Sequence, residues 1–125
     1  MRETHFEDGK WWVSPYNFVP EVRNSLELPP KVEIHDATLR DGEQTPGVVF
    51  SVDDKIAIAQ MLNDVGVDRI EAGMPAVSPQ DAEAIKQISK LGLKSRIFTF
   101  ARAMKQDIDM ALECGAQGVI IEVPI

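Results

Sequence analysis

Three glycines set the frame of this chain. Gly66, Gly92 and Gly115 each close a stretch whose apolar residues fall at helical spacing, and each is followed by a short apolar run. They recur roughly every 25 residues, the length of one helix plus one strand, which predicts successive strand-helix units laid into a parallel sheet.

The units read as follows. Val32 and Ile34 alternate up to Asp36, predicting a strand over 32–36. A helix is expected over 51–65, capped by Ser51, with Asp53 and Asp54 in its first turn and Ile58, Met61, Leu62 and Val65 facing inward. A strand over 68–72 leads to a helix opened by Pro79 and closed at Gly92, with Ala82, Ile85, Ile88 and Leu91 on its inner face. A third strand spans 96–100. A third helix spans 105–113, with Ile108, Ala111 and Leu112 inward. A fourth strand, over 118–123, is almost continuously apolar, as in a parallel strand covered on both faces. With no antiparallel hairpin signal, the expected fold class is α/β, the first half of a (β/α)₈ TIM barrel with about four parallel strands and three helices. A whole barrel takes about 250 residues, so the 125 are expected to be a fragment of a longer protein, or a half barrel that pairs with another chain. A small three-layer α/β domain is the structural alternative.

Residues 1–31 stand apart from this periodicity and are read as an N-terminal arm, with 32–125 as the partial barrel. Pro15, Pro20, Pro29 and Pro30 exclude long helices in the arm. Trp11, Trp12 and Tyr16 make it too apolar for a solvated tail, so it is expected to pack on the domain or on a second subunit. A net charge of −7 argues against nucleic-acid binding. No apolar run is long enough for a membrane span. A lone cysteine, Cys114, excludes an internal disulfide and reads as a packed small side chain. The expected setting is cytoplasmic.

The chemistry gathers where the first strand runs into its loop, in His35-Asp36-Ala37-Thr38-Leu39-Arg40-Asp41-Gly42-Glu43-Gln44-Thr45-Pro46-Gly47. In parallel α/β folds ligands bind at the carboxyl ends of strands. Arg40 offers a fixed cation with a planar fork of donors, suited to a carboxylate or a developing oxyanion. Asp41 is a hard oxygen donor, suited to a divalent cation. An isolated Arg-Asp-Gly is more often a solvated turn, but the longer string closely resembles the signature of the DRE-TIM metallolyase superfamily. Within it the match is to the isopropylmalate synthase and homocitrate synthase branch, the pyruvate carboxyltransferase-like domain. Gly66-Val67-Asp68-Arg69-Ile70-Glu71-Ala72-Gly73 resembles that branch's second strand.

The resemblance implies a Claisen-type condensation of acetyl-CoA with a small 2-oxo acid, followed by thioester hydrolysis: an acyltransferase of the isopropylmalate, homocitrate or citramalate synthase kind. It implies Asp41 as a metal ligand, and Arg40 as the cation beside the reacting carbonyl. Glu71 would help position Arg40 and substrate, Gln44 would be a substrate-binding amide, and Asp36 and Thr38 would be supporting residues. Arg102 is an uncertain candidate, with a solvated role equally open. The function of Glu122 is undetermined, and Met74 and Pro75 could shape the pocket. The cofactor would be Mg²⁺, Mn²⁺ or Zn²⁺.

Relatives complete the metal site with a His-x-His pair on a late strand. This chain has only His5 and His35, so the remaining ligands are expected outside it. Alone, the 125 residues are expected to bind metal weakly and to be inactive. Phe98 and Phe100 stand where several synthases carry a histidine, which leaves the identity of the oxo acid open. The alternatives are a carbon–carbon lyase of the same superfamily, similar to hydroxymethylglutaryl-CoA lyase, and a non-catalytic half barrel. Relatives are commonly homodimers.

Overall fold

The computed structural model describes residues 6–123; His5 and the final Pro124-Ile125 lie outside the described residues. Contacts divide the chain into two units, one ending at Val32 and one starting at Glu33. In the first, β1 (Phe6–Glu7) pairs antiparallel with β2 (Trp11–Trp12), Phe6 opposite Trp12. Gly9 turns the chain at φ +73°, and Lys10 Nζ meets Glu7 Oε1 at 2.6 Å. A 3₁₀ turn, Pro15–Phe18, and the one-turn helix α1 (Pro20–Arg23) follow, each opening on a proline that has no N–H to leave unpaired.

The second unit alternates strand and helix throughout: β3 (His35–Asp36), α2 (Val52–Asp64), β4 (Arg69–Glu71), α3 (Pro79–Lys90), β5 (Arg96–Arg102), α4 (Lys105–Glu113) and β6 (Gly118–Glu122). The strands are parallel and lie side by side in chain order, β3-β4-β5-β6. This is the α/β architecture expected from the sequence, consistent with part of a TIM barrel. Register aligns Asp36 with Ile70, Ile70 with Ile97, Glu71 with Phe98, and Phe100 with Ile120. Because side chains alternate across a strand, Glu71, Phe98, Phe100 and Ile120 share one face, and Ile70, Ile97 and Ala101 share the other. From the second face, Ile70 and Ile97 pack with Leu39, Ala59, Ile85, Ile88 and Cys114 into the hydrophobic core. Gly118 matters to the first face: a Cβ there would sit 2.2 Å from Phe98 Cε1, so only a residue without a side chain lets the Phe98 ring lie across β6.

Helix α2 begins as its sequence suggests. Ser51 Oγ accepts from Asp54 N–H at 3.1 Å, and Asp54 Oδ2 accepts from Ser51 N–H at 3.0 Å, a reciprocal capping box. Its hydroxyl partner holds the Asp54 carboxyl below its ordinary value. The three central helices end before Gly66, Gly92 and Gly115, each at positive φ.

The helix faces correct several expectations. On α2, Met61 and Val65 are exposed, and the inner stripe runs through Lys55 and Ala59, flanked by half-buried Ile58 and Leu62. On α4, Leu112 is 63% exposed, and Asp107, Ala111 and Cys114 turn inward at i, i+4 and i+7. Leu91, the C-cap of α3, is exposed as well. In both α2 and α4 an inward-turned charged side chain, Lys55 or Asp107, is held by an ion pair, which periodicity of apolar residues does not register. The first strand is shorter than its pattern, two residues rather than five, and Ile121 on β6 is half exposed.

Replacing Ser51 with Ala removes one side of the capping box and should lower stability by about 1 kcal/mol. A urea unfolding midpoint unchanged from the wild type would contradict the capping role.

Candidate active site

The site begins with a carboxylate that has no access to water. Glu71 ends β4 and is 2% exposed. A charge in such a place needs a partner and filled hydrogen bonds. Arg40 supplies the first: its Nε donates to Glu71 Oε1 at 2.5 Å. His35 Nε2 approaches Glu71 Oε2 at 3.3 Å. The Arg40 guanidinium also lies over the Phe100 ring, 4.6 Å from its centroid, and donates through Nη1 to Asp41 Oδ1 at 2.9 Å. Arg40 thus has a carboxylate on its flank, an aromatic face beside it and its chain neighbour at one tip. The Glu71 hydrogen bond pushes its pKa above the ordinary arginine value against the opposing effect of burial, and Glu71, Asp41 and Glu122 add to the rise.

Local structure places Arg40 there. Asp36 Oδ1 accepts from Thr38 N–H at 2.9 Å and Oδ2 from Thr38 Oγ1 at 3.2 Å, a side-chain turn that ends β3. The N–H groups of Arg40, Asp41 and Gly42 then converge on the Ala37 carbonyl at 3.1, 2.8 and 3.4 Å. A 3₁₀ turn, Gly42–Gln44, carries the chain onward. Asp36 and Thr38 therefore shape the turn that presents Arg40 and Asp41. The Asp41 side chain is 64% exposed, and only Oδ1 takes a hydrogen bond among the described residues.

Beside Arg40 lies an open cavity of about 190 Å³, lined by Arg40, Glu43, Gln44, Met74, Val77, Asp81 and Phe100. Arg40 and Gln44 thus meet at one cavity, with Glu71 behind Arg40. Pro75, also considered for the pocket, is buried and does not line it. Two of the lining carboxylates close on a group that apolar patterning missed: Lys55 is 2% exposed, with Nζ 2.6 Å from Glu43 Oε2 and 2.5 Å from Asp81 Oδ1. Burial drives the Glu43 carboxyl upward, but hydrogen bonds from Lys55 and from Phe50 N–H outweigh it, and its pKa falls below the ordinary glutamate value. The signal for Lys55 was its i, i+4 spacing from Ala59 on the inner face of an amphipathic helix, but lysines in helices are mostly solvated.

Arg102 takes a different place. It forks onto Asp107, Nε to Oδ2 at 2.7 Å and Nη2 to Oδ1 at 2.9 Å, while its N–H reaches Oδ2 at 3.3 Å. This closes the turn from β5 into α4 and explains why Asp107 is buried. At the opposite end of the sheet, Glu33 bridges Arg69 and Arg96.

Among the described residues, no helix is long and apolar enough to cross a membrane. Residues 31–125 match the family described as HMGL-like. The homocitrate synthase AksA of Methanopyrus kandleri is 46% identical over 107 residues, 86% of this chain and 26% of that protein. The homocitrate synthase AksA of Methanosarcina mazei is 52% identical over 93 residues, 74% of this chain and 23% of that protein. The 2-isopropylmalate synthase of Methanocaldococcus jannaschii is 48% identical over 101 residues, 81% of this chain and 20% of that protein. The chain spans about a quarter or less of the length of these curated relatives.

Arg102 holds the Asp107 carboxyl below its ordinary value of 3.8 through their hydrogen bonds. A lowered pKa in the folded state gives stability that is present above the unfolded value and lost as pH falls through the folded one. Arg102→Ala should therefore raise the Asp107 pKa in a carboxyl-carbon NMR titration and shrink the loss of stability below pH 3.8. An unmoved Asp107 titration would contradict the pairing.

Proposed function

This chain belongs to the HMGL-like family, and from that membership we propose that the protein carrying it condenses acetyl-CoA with a small 2-oxo acid, as an acyltransferase-type synthase. The observation that carries the reading is Arg40 held rigid between Glu71 and Phe100, next to exposed Asp41, where parallel strands end. The relatives named as homocitrate and 2-isopropylmalate synthases support it.

The chain's own residues divide the work. Arg40 has five N–H donors, of which Glu71 and Asp41 engage two, leaving donors for a substrate oxygen. A cation fixed before the reaction stabilises negative charge growing on a carbonyl oxygen without reorganising during the step. Glu71 sets the orientation of that cation and, being buried, cannot swing away without losing its compensation. Gln44 lines the same cavity and offers both a donor and an acceptor for orienting a substrate. Met74, Val77 and Phe100 form its apolar wall.

A divalent metal, Mg²⁺, Mn²⁺ or Zn²⁺, belongs to this reading. Asp41 fits one position in its ligand set, as a hard, exposed oxygen donor. Among the described residues no group of three or more His, Cys, Asp or Glu side chains gathers to hold a metal ion, so the rest of the set would come from elsewhere in the protein. When bound, the ion supplies Lewis-acid polarisation of the 2-oxo acid. A cytoplasmic setting fits a chain whose single cysteine is buried and free.

The test is thiol release from acetyl-CoA that depends on an added 2-oxo acid, with the protein that carries this chain. Arg40→Ala should lower turnover by about 10²-fold or more, the scale of losing an oxyanion donor. Turnover near the wild-type rate would remove Arg40 from the role. Asp41→Ala should weaken Mn²⁺ binding in a calorimetric titration, and an unchanged affinity would exclude Asp41 as a ligand.

A further inference from the structure

The buried Lys55 ammonium touches the segment that carries Arg40 and Asp41 at both of its ends. Nζ donates to the Leu39 carbonyl at 3.3 Å and forms an ion pair with Glu43 Oε2 at 2.6 Å, and only Arg40, Asp41 and Gly42 lie between those residues. Glu43 Oε1 accepts from Phe50 N–H at 2.9 Å, which ties the far side of the loop to the same group. The third partner, Asp81 in the first turn of α3, meets Nζ at 2.5 Å and turns its other oxygen to Met74 N–H at 3.5 Å. Gly73, two residues past Glu71, passes so close that a Cβ there would lie 3.4 Å from Nζ. One ammonium thus links the loop bearing Arg40 to the backbone that follows Glu71.

Burying an ammonium with two carboxylates is a poor way to stabilise a fold, since apolar side chains of similar volume are often as good or better. The arrangement sets geometry instead: two directed hydrogen bonds and an ion pair hold the loop where apolar packing would let it slide. We infer that Lys55 is a positioning residue for the candidate active site. It acts through Leu39 and Glu43 to hold Arg40 and Asp41 in register with Glu71. This rests on the synthase reading for its kinetic consequence and on the geometry alone for its structural one.

Two variants test it in the protein that carries this chain. Lys55→Met removes the hub and leaves two carboxylates without a cation, which is expected to impair folding. The triple variant Lys55→Met, Glu43→Gln and Asp81→Asn removes the uncompensated charges with it. In whichever variant folds, backbone amides over 39–50 should exchange with solvent at least about tenfold faster, with amides of β5 unchanged, as expected for local loosening. In the thiol-release assay kcat should fall by about 10²-fold, the scale of a misplaced catalytic group, with KM within about threefold of the wild type. Wild-type exchange over 39–50 in the triple variant overturns the inference. So does uniformly faster exchange through β5, which would make Lys55 a general stabiliser. If the wild-type protein releases no thiol, the synthase reading fails, and the exchange result alone decides the role of Lys55.

Discussion

The Arg40–Glu71 pair is the interaction from which the rest of the site follows. A carboxylate at 2% exposure needs a partner for its charge, and Arg40 Nε supplies it from the β3–α2 loop. Satisfying Glu71 draws the β3–α2 loop over the ends of the strands. That in turn places Asp41 at the surface, Phe100 beneath the guanidinium and Gln44 at the cavity. The turn made by Asp36 and Thr38 and the convergence of three N–H groups on Ala37 are the local means of reaching that geometry. The sheet brings Glu71 and Phe98 into register, and the ion pair determines what the loop does above them.

Much of this was legible in the amino-acid sequence. The strand-helix alternation, the order of the elements and the bounds of α4 could be read from apolar periodicity and glycine stops, because those signals are local. Arg40, Asp41, Gln44 and Glu71 could be singled out through the motifs around them. The structure brings Arg40 together with both Asp41 and Glu71, and sets Gln44 beside the same cavity.

What was not legible depends on pairing across the fold. Met61, Val65 and Leu112 were expected inside because they are apolar, yet Lys55 and Asp107 take the inner positions on their helices. An inward lysine is visible only once Glu43 and Asp81, from two other segments, are seen to close around it. Arg102 stood equally between a solvated and a functional reading because its partner lies in the following helix, and the fork onto Asp107 is a tertiary fact. The brevity of β3 has the same origin. An alternating pattern reports which side chains suit a strand, whereas the ladder extends only as far as a neighbour is present to pair with it.

The ring of Phe98 crosses the place where Gly118 would otherwise carry a side chain, while His35 meets that ring edge-on and Arg69 lies 5.7 Å from its centre. The two positions are therefore not independent in descent. With the Phe98 ring in this position any side chain at 118 would displace it, so a larger residue at 118 becomes readily accessible only after the ring has been shortened. The reverse order passes through an overpacked intermediate. Variation at the start of β6 is thus gated by history at β5: position 98 can shrink while Gly118 stays, and position 118 can only follow it.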